Sequence, residues 1–282
     1  MHARVKLALT VLAAPAVLIT ASSTPASAAI AAAACPVLVA HQGYSGAAYS
    51  GDRDGDGPVP SNSVAALRDA VRHGARVVEF DARWSADGVP VVIHSATVDA
   101  VTRWHGPVAK YKAATLERMR LVAPWGSSHA TADTLPSLAT MVAAARAEHV
   151  AALVEIKTPN ITAAQAAAFV RAAPPGTDVS VHSFYPDDLA RLPRYPRILL
   201  ALEPVTAAPG DVGVDLRGSV VTAAYVAEVH RAGLVVGAYV TGGSGVADDR
   251  AEWSRLAADG VNSIISGDTP GYVAWARRGC AQ

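Results

Sequence analysis

Apolar and polar positions alternate along this chain with two periods, and the two periods take turns. Short apolar runs rich in β-branched residues predict strands over 37–41, 76–84, 90–94, 151–157, 178–184, 197–202, 234–241 and 261–265. Between most of them, apolar residues three or four apart predict helices over 62–73, 136–148, 162–173, 186–192, 223–232, 250–258 and 272–278. The first helix carries Val64, Leu67 and Val71 on one face and meets Gly74, a stop signal. Strands alternating with helices predict a parallel sheet with both faces covered. Eight strands in one domain point to a (β/α)8 TIM barrel, for which about 250 residues is typical. A doubly wound open sheet competes, but no G-x-G-x-x-G follows the first strand, which weakens its dinucleotide-binding version. Residues 98–134 follow neither period clearly and are expected to form a small insertion near the barrel mouth.

The N-terminus changes this picture of a single domain. Arg4 and Lys6 precede an apolar run from Leu7 to Ile19, and Ala26-Ser27-Ala28 supplies a small-residue cleavage site. That layout predicts a secretory signal peptide over 1–28 and a secreted bacterial protein, with a retained N-terminal anchor as the alternative. The run falls short of the roughly 20 residues that a membrane span needs, and no later stretch could span a membrane. Cleavage after Ala28 leaves residues 29–282 as the domain, with 22 basic and 24 acidic side chains. A general nucleic-acid binder would show a basic excess, and none is present. An apolar fraction of 51% is ample for a core. Cys35 and Cys280 lie near the two ends of this domain. A closed barrel brings its ends together, so an oxidising compartment favours a disulfide between them; lipidation of Cys35 is the other reading.

Candidate chemistry gathers at strand ends. His41 ends the first strand, Glu79 and Asp81 lie in V-V-E-F-D-A-R, His94 ends V-V-I-H, and Glu155 and Lys157 lie in L-V-E-I-K. Residues two apart in a strand share a face, so Glu79 pairs with Asp81 and Glu155 with Lys157. Barrel enzymes build their sites at the C-terminal ends of the strands, where all six groups are expected to meet. Three carboxylates suit a hard divalent cation, Mg²⁺ or Ca²⁺. Two histidines that titrate near neutrality suit an acid/base pair, and Lys157 suits an anion. Each alone has a plainer reading: a salt-bridged E-x-D, a structural histidine, an internal ion pair. Together they suit phosphoryl chemistry.

With these residues in view, the sequence resembles the glycerophosphodiester phosphodiesterase family. The family opens with H-R-G, here His41-Gln42-Gly43, followed by a P-E-N-T-like helix start, here Pro60-Ser61-Asn62-Ser63. Its E-x-D and D-G follow as Glu79-Phe80-Asp81 and Asp87-Gly88, and V-V-x-H-D as Val91-Val92-Ile93-His94-Ser95. P-T-L becomes Pro136-Ser137-Leu138, E-I-K is intact at Glu155-Ile156-Lys157, and S-F at Ser183-Phe184. The late W-T-x-N strand becomes Tyr239-Val240-Thr241-Gly242, and the closing G-V-D-G-I-I-T-D-x-P is loosely kept from Gly260 to Pro270. The resemblance implies a TIM barrel, a divalent cation held by Glu79, Asp81 and Glu155, His41 and His94 as general acid and base, and Lys157 on the phosphate side. It implies hydrolysis of a glycerophosphodiester to glycerol 3-phosphate and an alcohol, by direct water attack or through a cyclic phosphate. Departures fall at Gln42, where the family carries Arg, and at Ser61, Ser95 and Tyr239. Gln42 and Tyr239 are expected at the substrate, with Gln42 a weaker phosphate contact than Arg because it carries no charge.

Two other functions fit the same residues. A phospholipase D of the sphingomyelinase D type would act on choline lipids with a similar set. A non-catalytic phosphodiester-binding barrel is favoured by Gln42 and Ser95. The run Asp52, Asp54, Asp56 begins like a calcium loop, but Ser63 stands where a bidentate Glu is expected, so a solvated acidic turn competes with a Ca²⁺ site.

Overall fold

Apolar side chains on alternate positions decide which way each strand faces. The computed structural model describes residues 35–43, 59–123, 129–176, 178–241 and 244–280. The predicted leader, the aspartates at 52, 54 and 56, and Gly242 lie outside them. In chain order the elements are β1 (Val37–Ala40), α1 (Val64–Arg72), β2 (Val77–Trp84), β3 (Pro90–Val92), α2 (Ala113–Leu116), β4 (Arg120–Val122), β5 (Ala130–Thr134), α3 (Leu138–Ala147), β6 (Ala151–Ile156) and α4 (Ala163–Ala172). They continue with β7 (Val179–Ser183), α5 (Pro186–Ala190), β8 (Arg197–Ala201), β9 (Gly213–Arg217), α6 (Ala223–Arg231), β10 (Val235–Tyr239), α7 (Arg250–Asp259), β11 (Ser263–Ser266) and α8 (Thr269–Ala276).

Eight parallel strands close into a barrel in the order β1-β11-β10-β9-β8-β7-β6-β2, and β2 pairs back to β1. One set of alternate residues points outward under the helices: Val78, Phe80 and Ala82 of β2 and Ala152, Val154 and Ile156 of β6 join the main core with Leu67, Leu138, Phe169, Trp253 and Trp275. The other set points inward. Val39, Leu153, Leu200, Tyr239 and Ile265 form a separate apolar cluster, with Val77 and Ile198 packed against it. Burying a Leu- or Ile-sized side chain stabilises the fold by about 1.5–3 kcal/mol, so a dry interior helps hold the polar groups placed beside it.

Several helices begin at side-chain caps. Ser63 accepts from Ala66 N at 3.0 Å and Ser137 from Thr140 N at 3.3 Å. Thr162 and Gln165 make a reciprocal capping box.

Two strand assignments differ from the sequence expectation. Residues 90–94 are not a barrel strand. β3 pairs antiparallel with β2 beyond the barrel, Val92 facing Ala82, and His94 follows it. The eighth barrel strand is β9, which sequence periodicity passes over because V-D-L places an acidic residue among few apolar ones. The described residues 93–123 and 129–135 do form an insertion. It carries its own core of Val98, Val108, Leu116, Met119, Leu121 and Leu135 against Val91 and Ile93. A hydrogen bond from Ala86 N to Tyr111 O ties it to the β2–β3 turn, at the C-terminal end of β2.

The chain ends meet as the barrel requires. Cys35 precedes β1, Cys280 follows α8, and the two form a disulfide with Cα atoms 5.7 Å apart. Among the described residues no helix is long and apolar enough to cross a membrane.

Candidate active site

Inward positions near the strand ends carry the polar groups. Strand alternation places Glu79 and Asp81 of β2 on one face, with Phe80 on the other in the helix-facing core. Glu155 of β6 lies beside Asp81 in register, and His182 of β7 lies beside Glu155. Glu79, Asp81, Glu155 and His182 are 1%, 0%, 7% and 2% exposed, so water can offset little of their charge. The cavity over them is lined by His41, Glu79, His94, Glu155, Lys157, His182 and, on its apolar side, Phe184, Leu200, Leu202 and Tyr239. Asp81 is not among the lining residues and lies beside Glu155 in register.

Lys157 Nζ sits 3.0 Å from Glu155 and 3.5 Å from Asp81 Oδ1. Burial opposes its charge, but Asp81 and Glu155 outweigh burial and raise its pKa. Burial pushes Asp81 up; Lys157, His94, His41 and the Asn62 hydrogen bond more than reverse this, and it titrates below the usual carboxylate range. Glu79 and Glu155 are raised, first by burial and then by the charge on Asp81. Burial holds both His41 and His94 below their ordinary value.

Asp81 is braced from two sides. Its Oδ2 accepts from Asn62 Nδ2 at 2.7 Å and from Gln42 Nε2 at 3.0 Å. Asn62 Oδ1 in return accepts from Asp81 N at 3.1 Å. Gln42 N donates to Glu79 Oε2 at 2.9 Å. Both bracing residues have left-handed backbone, with φ of 56° at Gln42 and at Asn62, and Asn62 N donates to Gln42 O at 2.9 Å. Gln42 is 4% exposed, and its amide is turned onto Asp81 rather than lining the cavity. The expected phosphate contact is therefore not where this side chain points. Its positive φ and the Glu79 hydrogen bond fix the direction. Arg83, next on the inward face of β2, donates to His94 O at 2.8 Å and Lys157 O at 3.2 Å, fixing the backbone at two of the candidate residues.

His182 escaped the sequence reading. Its ring Nδ1 lies 2.9 Å from Asp215 Oδ2 on β9, and its Nε2 is 3.9 Å from Glu79 Oε1. Burial disfavours its proton, yet the hydrogen bond to Asp215 and the nearby carboxylates of Glu79 and Glu155 raise its pKa to about 10. The signal was present in D-V-S-V-H-S-F: in a strand His182 faces the same way as Ser180, and the strand lies next to the one carrying Glu155. Asp215 had no such signal, since its strand was not recognised.

The donor set fits a divalent cation. Carboxylate oxygens of Glu79 and Glu155 and a ring nitrogen of His182 lie within 4.8 Å of one another. Glu79 Oε1, Asp81 Oδ1 and His182 Nε2 are buried without a hydrogen-bond partner. Buried polar atoms nearly always find partners, so three orphans in one site mark a place for a ligand.

Comparison with known proteins agrees with this geometry. The family model described as the glycerophosphoryl diester phosphodiesterase family matches residues 41–182, which is half of the chain and runs from His41 to His182. The chain belongs to this family. A glycerophosphodiester phosphodiesterase 1 from Bos taurus is 35% identical over 85 residues, 30% of this chain and 24% of that protein. A glycerophosphodiester phosphodiesterase from Caldanaerobacter subterraneus is 32% identical over 80 residues, 28% of this chain and 32% of that one. The matched segments thus span under a third of these relatives' own lengths. A phosphodiesterase from Oleispira antarctica, solved with the product sn-glycerol-3-phosphate, superposes with a TM-score of 0.72 at 19% identity, over 86% of this chain and 97% of that one. A glycerophosphodiester phosphodiesterase from Agrobacterium tumefaciens gives 0.66 at 23% identity, over 85% and 99%. At such identities the likeness shows the shared barrel.

Proposed function

We propose that this chain is a divalent-cation-dependent phosphodiesterase that hydrolyses a glycerophosphodiester to glycerol 3-phosphate and an alcohol. One observation carries the reading: His41, His94, Lys157 and the buried carboxylates converge on one cavity at the barrel mouth. Glu79, Glu155 and Asp81 are the oxygen ligands of the cation; oxygen donors alone suit Mg²⁺ or Ca²⁺. Bound there, the cation supplies Lewis acidity and charge stabilisation at a phosphoryl oxygen.

The remaining work belongs to side chains. Lys157 meets a phosphate oxygen, and the carboxylates beside it keep it protonated. His41 and His94 are the acid/base pair: one takes a proton from the attacking oxygen, the other gives one to the departing alcohol oxygen. A P–O bond forms to the nucleophile as the P–O bond to the alcohol breaks. Tyr239 and Leu200 form part of the apolar wall beside the reacting groups.

A choline-lipid substrate, as in a sphingomyelinase D-type reaction, is the second reading. Phe184 and Leu202 line the cavity yet are 37% and 53% exposed, an apolar lip next to the polar site. Release of choline from sphingomyelin or lysophosphatidylcholine, with no turnover of glycerophosphocholine, favours that reading. Release of glycerol 3-phosphate from glycerophosphocholine favours the first. His41→Ala and His94→Ala are expected to lose activity on either substrate by about 10²–10⁴-fold, the usual range for general acid–base catalysis. Equal activity in wild type and both variants sinks the catalytic assignment and leaves a binding barrel.

The apolar leader and the Cys35–Cys280 disulfide support export to an oxidising compartment. Mass measurement of the protein in culture medium tests this; a chain beginning at Ala29 is the expected result, and a full-length chain held in the cells contradicts it.

A further inference from the structure

Three carboxylates would be enough for a hard cation, yet a histidine stands at the same place. His182 is 2% exposed, and Asp215, its partner, is 2% exposed. The Nδ1–Asp215 Oδ2 distance of 2.9 Å gives Nδ1 a carboxylate acceptor. In the neutral imidazole, an Nδ1–H committed to a carboxylate leaves the lone pair of Nε2 on the opposite side, so a cation that binds there displaces the Nε2 proton. Here that side faces Glu79 Oε1, 3.9 Å away, and Nε2 itself has no hydrogen-bond partner. The donors of Glu79, Glu155 and His182 all lie within 4.8 Å of one another, a set that includes His182 and not Asp81.

The fold makes room for the pair. Asp215 on β9 is in register with Gly237 on β10, and Gly237 with Ser263 on β11. A Cβ at Gly237 would lie 1.9 Å from Asp215 Oδ1 and 2.8 Å from Ser263 Oγ. The glycine thus vacates the space that the Asp215 carboxylate fills, beside Ser263 and the His182 ring.

We propose that His182 Nε2 is a nitrogen ligand of the cation, oriented by Asp215, and that the site therefore prefers first-row transition cations such as Mn²⁺ or Zn²⁺ to Ca²⁺. The proposal rests on the cation-dependent reading of this site. A carboxylate–histidine–metal relay fixes the ring tautomer and raises the basicity of the ligating nitrogen. Imidazole suits transition cations, whereas Ca²⁺ and Mg²⁺ take oxygen ligands.

The test is cation binding, read without substrate, so that it stands apart from any failure of the hydrolase reading. Full-length protein is loaded with Mn²⁺ and examined by electron spin-echo modulation for coupling to a coordinated imidazole nitrogen. Titration calorimetry with Mn²⁺, Zn²⁺ and Ca²⁺ gives the affinities. Wild type is expected to show the nitrogen coupling and to bind Mn²⁺ and Zn²⁺ more tightly than Ca²⁺. His182→Gln is expected to lose the coupling, and Asp215→Asn to weaken Mn²⁺ binding by about 10–100-fold, the usual cost of losing such a partner. If His182→Gln does not fold, the His41→Ala/His94→Ala double variant decides. Coupling that survives in it assigns the nitrogen to His182, and coupling lost in it overturns the proposal. Absence of nitrogen coupling in wild type, its persistence in folded His182→Gln, or Ca²⁺ binding as tight as Mn²⁺ binding also overturns it.

Discussion

Asp81 is 0% exposed, and its Oδ2 accepts from both Gln42 and Asn62. Removing one donor leaves a buried carboxylate less satisfied, which costs about 1–3 kcal/mol. Asn62→Ala is therefore expected to lower stability to urea by that amount and to weaken divalent-cation binding; unchanged stability and unchanged binding contradict the bracing role. Gln42→Ala should act the same way through Asp81. Its effect should fall on kcat and cation affinity rather than on KM, since the amide does not line the cavity. A rise in KM alone would return Gln42 to the substrate. The histidines make a pH prediction. Burial holds His41 and His94 below 6.5 in the folded chain, so between those depressed values and 6.5 the unfolded chain binds more protons. Stability then falls as pH drops below 6.5. Chelator-treated protein should show this loss in melting temperature, and less of it in His94→Asn; an identical acid slope in that variant contradicts the assignment. At this scale the sequence shows chemical type and strand parity, which was enough to place His41, Glu79, His94, Glu155 and Lys157 around one cavity with Asp81 beside Glu155. It does not show which way a left-handed residue aims its side chain, and so gave no sign of the Gln42 hydrogen bond to Asp81.

Short barrel strands are read well where a long run of outward positions is apolar, as in β2 (Val78, Phe80, Ala82) and β6 (Ala152, Val154, Ile156), and poorly where that run is short, as in β9 with only Val214 and Leu216. β9 is G-V-D-L-R, and its inward Asp215 hydrogen-bonds His182 on β7, two strands away. Nothing local in the chain carries that pairing. The opposite error occurs at β3, where P-V-V has good strand composition but nothing in it reports an antiparallel partner outside the barrel. Most helix bounds fall within one or two residues of the periodic pattern, because Ser63, Ser137, Thr162 and Thr222 cap them. The β9–β10 contact gives its own prediction. Gly237→Ala would force its Cβ onto the Asp215 carboxylate, and overpacking of this kind costs about 1–3 kcal/mol. Asp215→Ala should recover part of that loss when combined with it. Purely additive losses in the double variant contradict the steric account.

The whole barrel is closed twice, by β1 pairing with both β2 and β11 and by the disulfide beyond them. The cross-link spans 245 residues, and on the chain-entropy model a loop of that length contributes about 5 kcal/mol by restricting the unfolded chain. Reduction should lower the denaturant midpoint markedly while leaving the native circular dichroism unchanged; an unaltered midpoint contradicts a stabilising role. The barrel was legible from period and length together, because strand–helix alternation leaves few ways to cover both faces of a parallel sheet. What length and period could not reveal is the cation-side chemistry, which depends on groups from β2, β6, β7 and β9 meeting in space. That meeting is the central claim, and its function is tested most directly by a ³¹P NMR time course on glycerophosphocholine with purified protein. Glycerol 3-phosphate should appear with divalent cation present, stop on chelation, resume on cation return, and be absent with His41→Ala. Turnover that continues through chelation, or that is the same in His41→Ala, contradicts it.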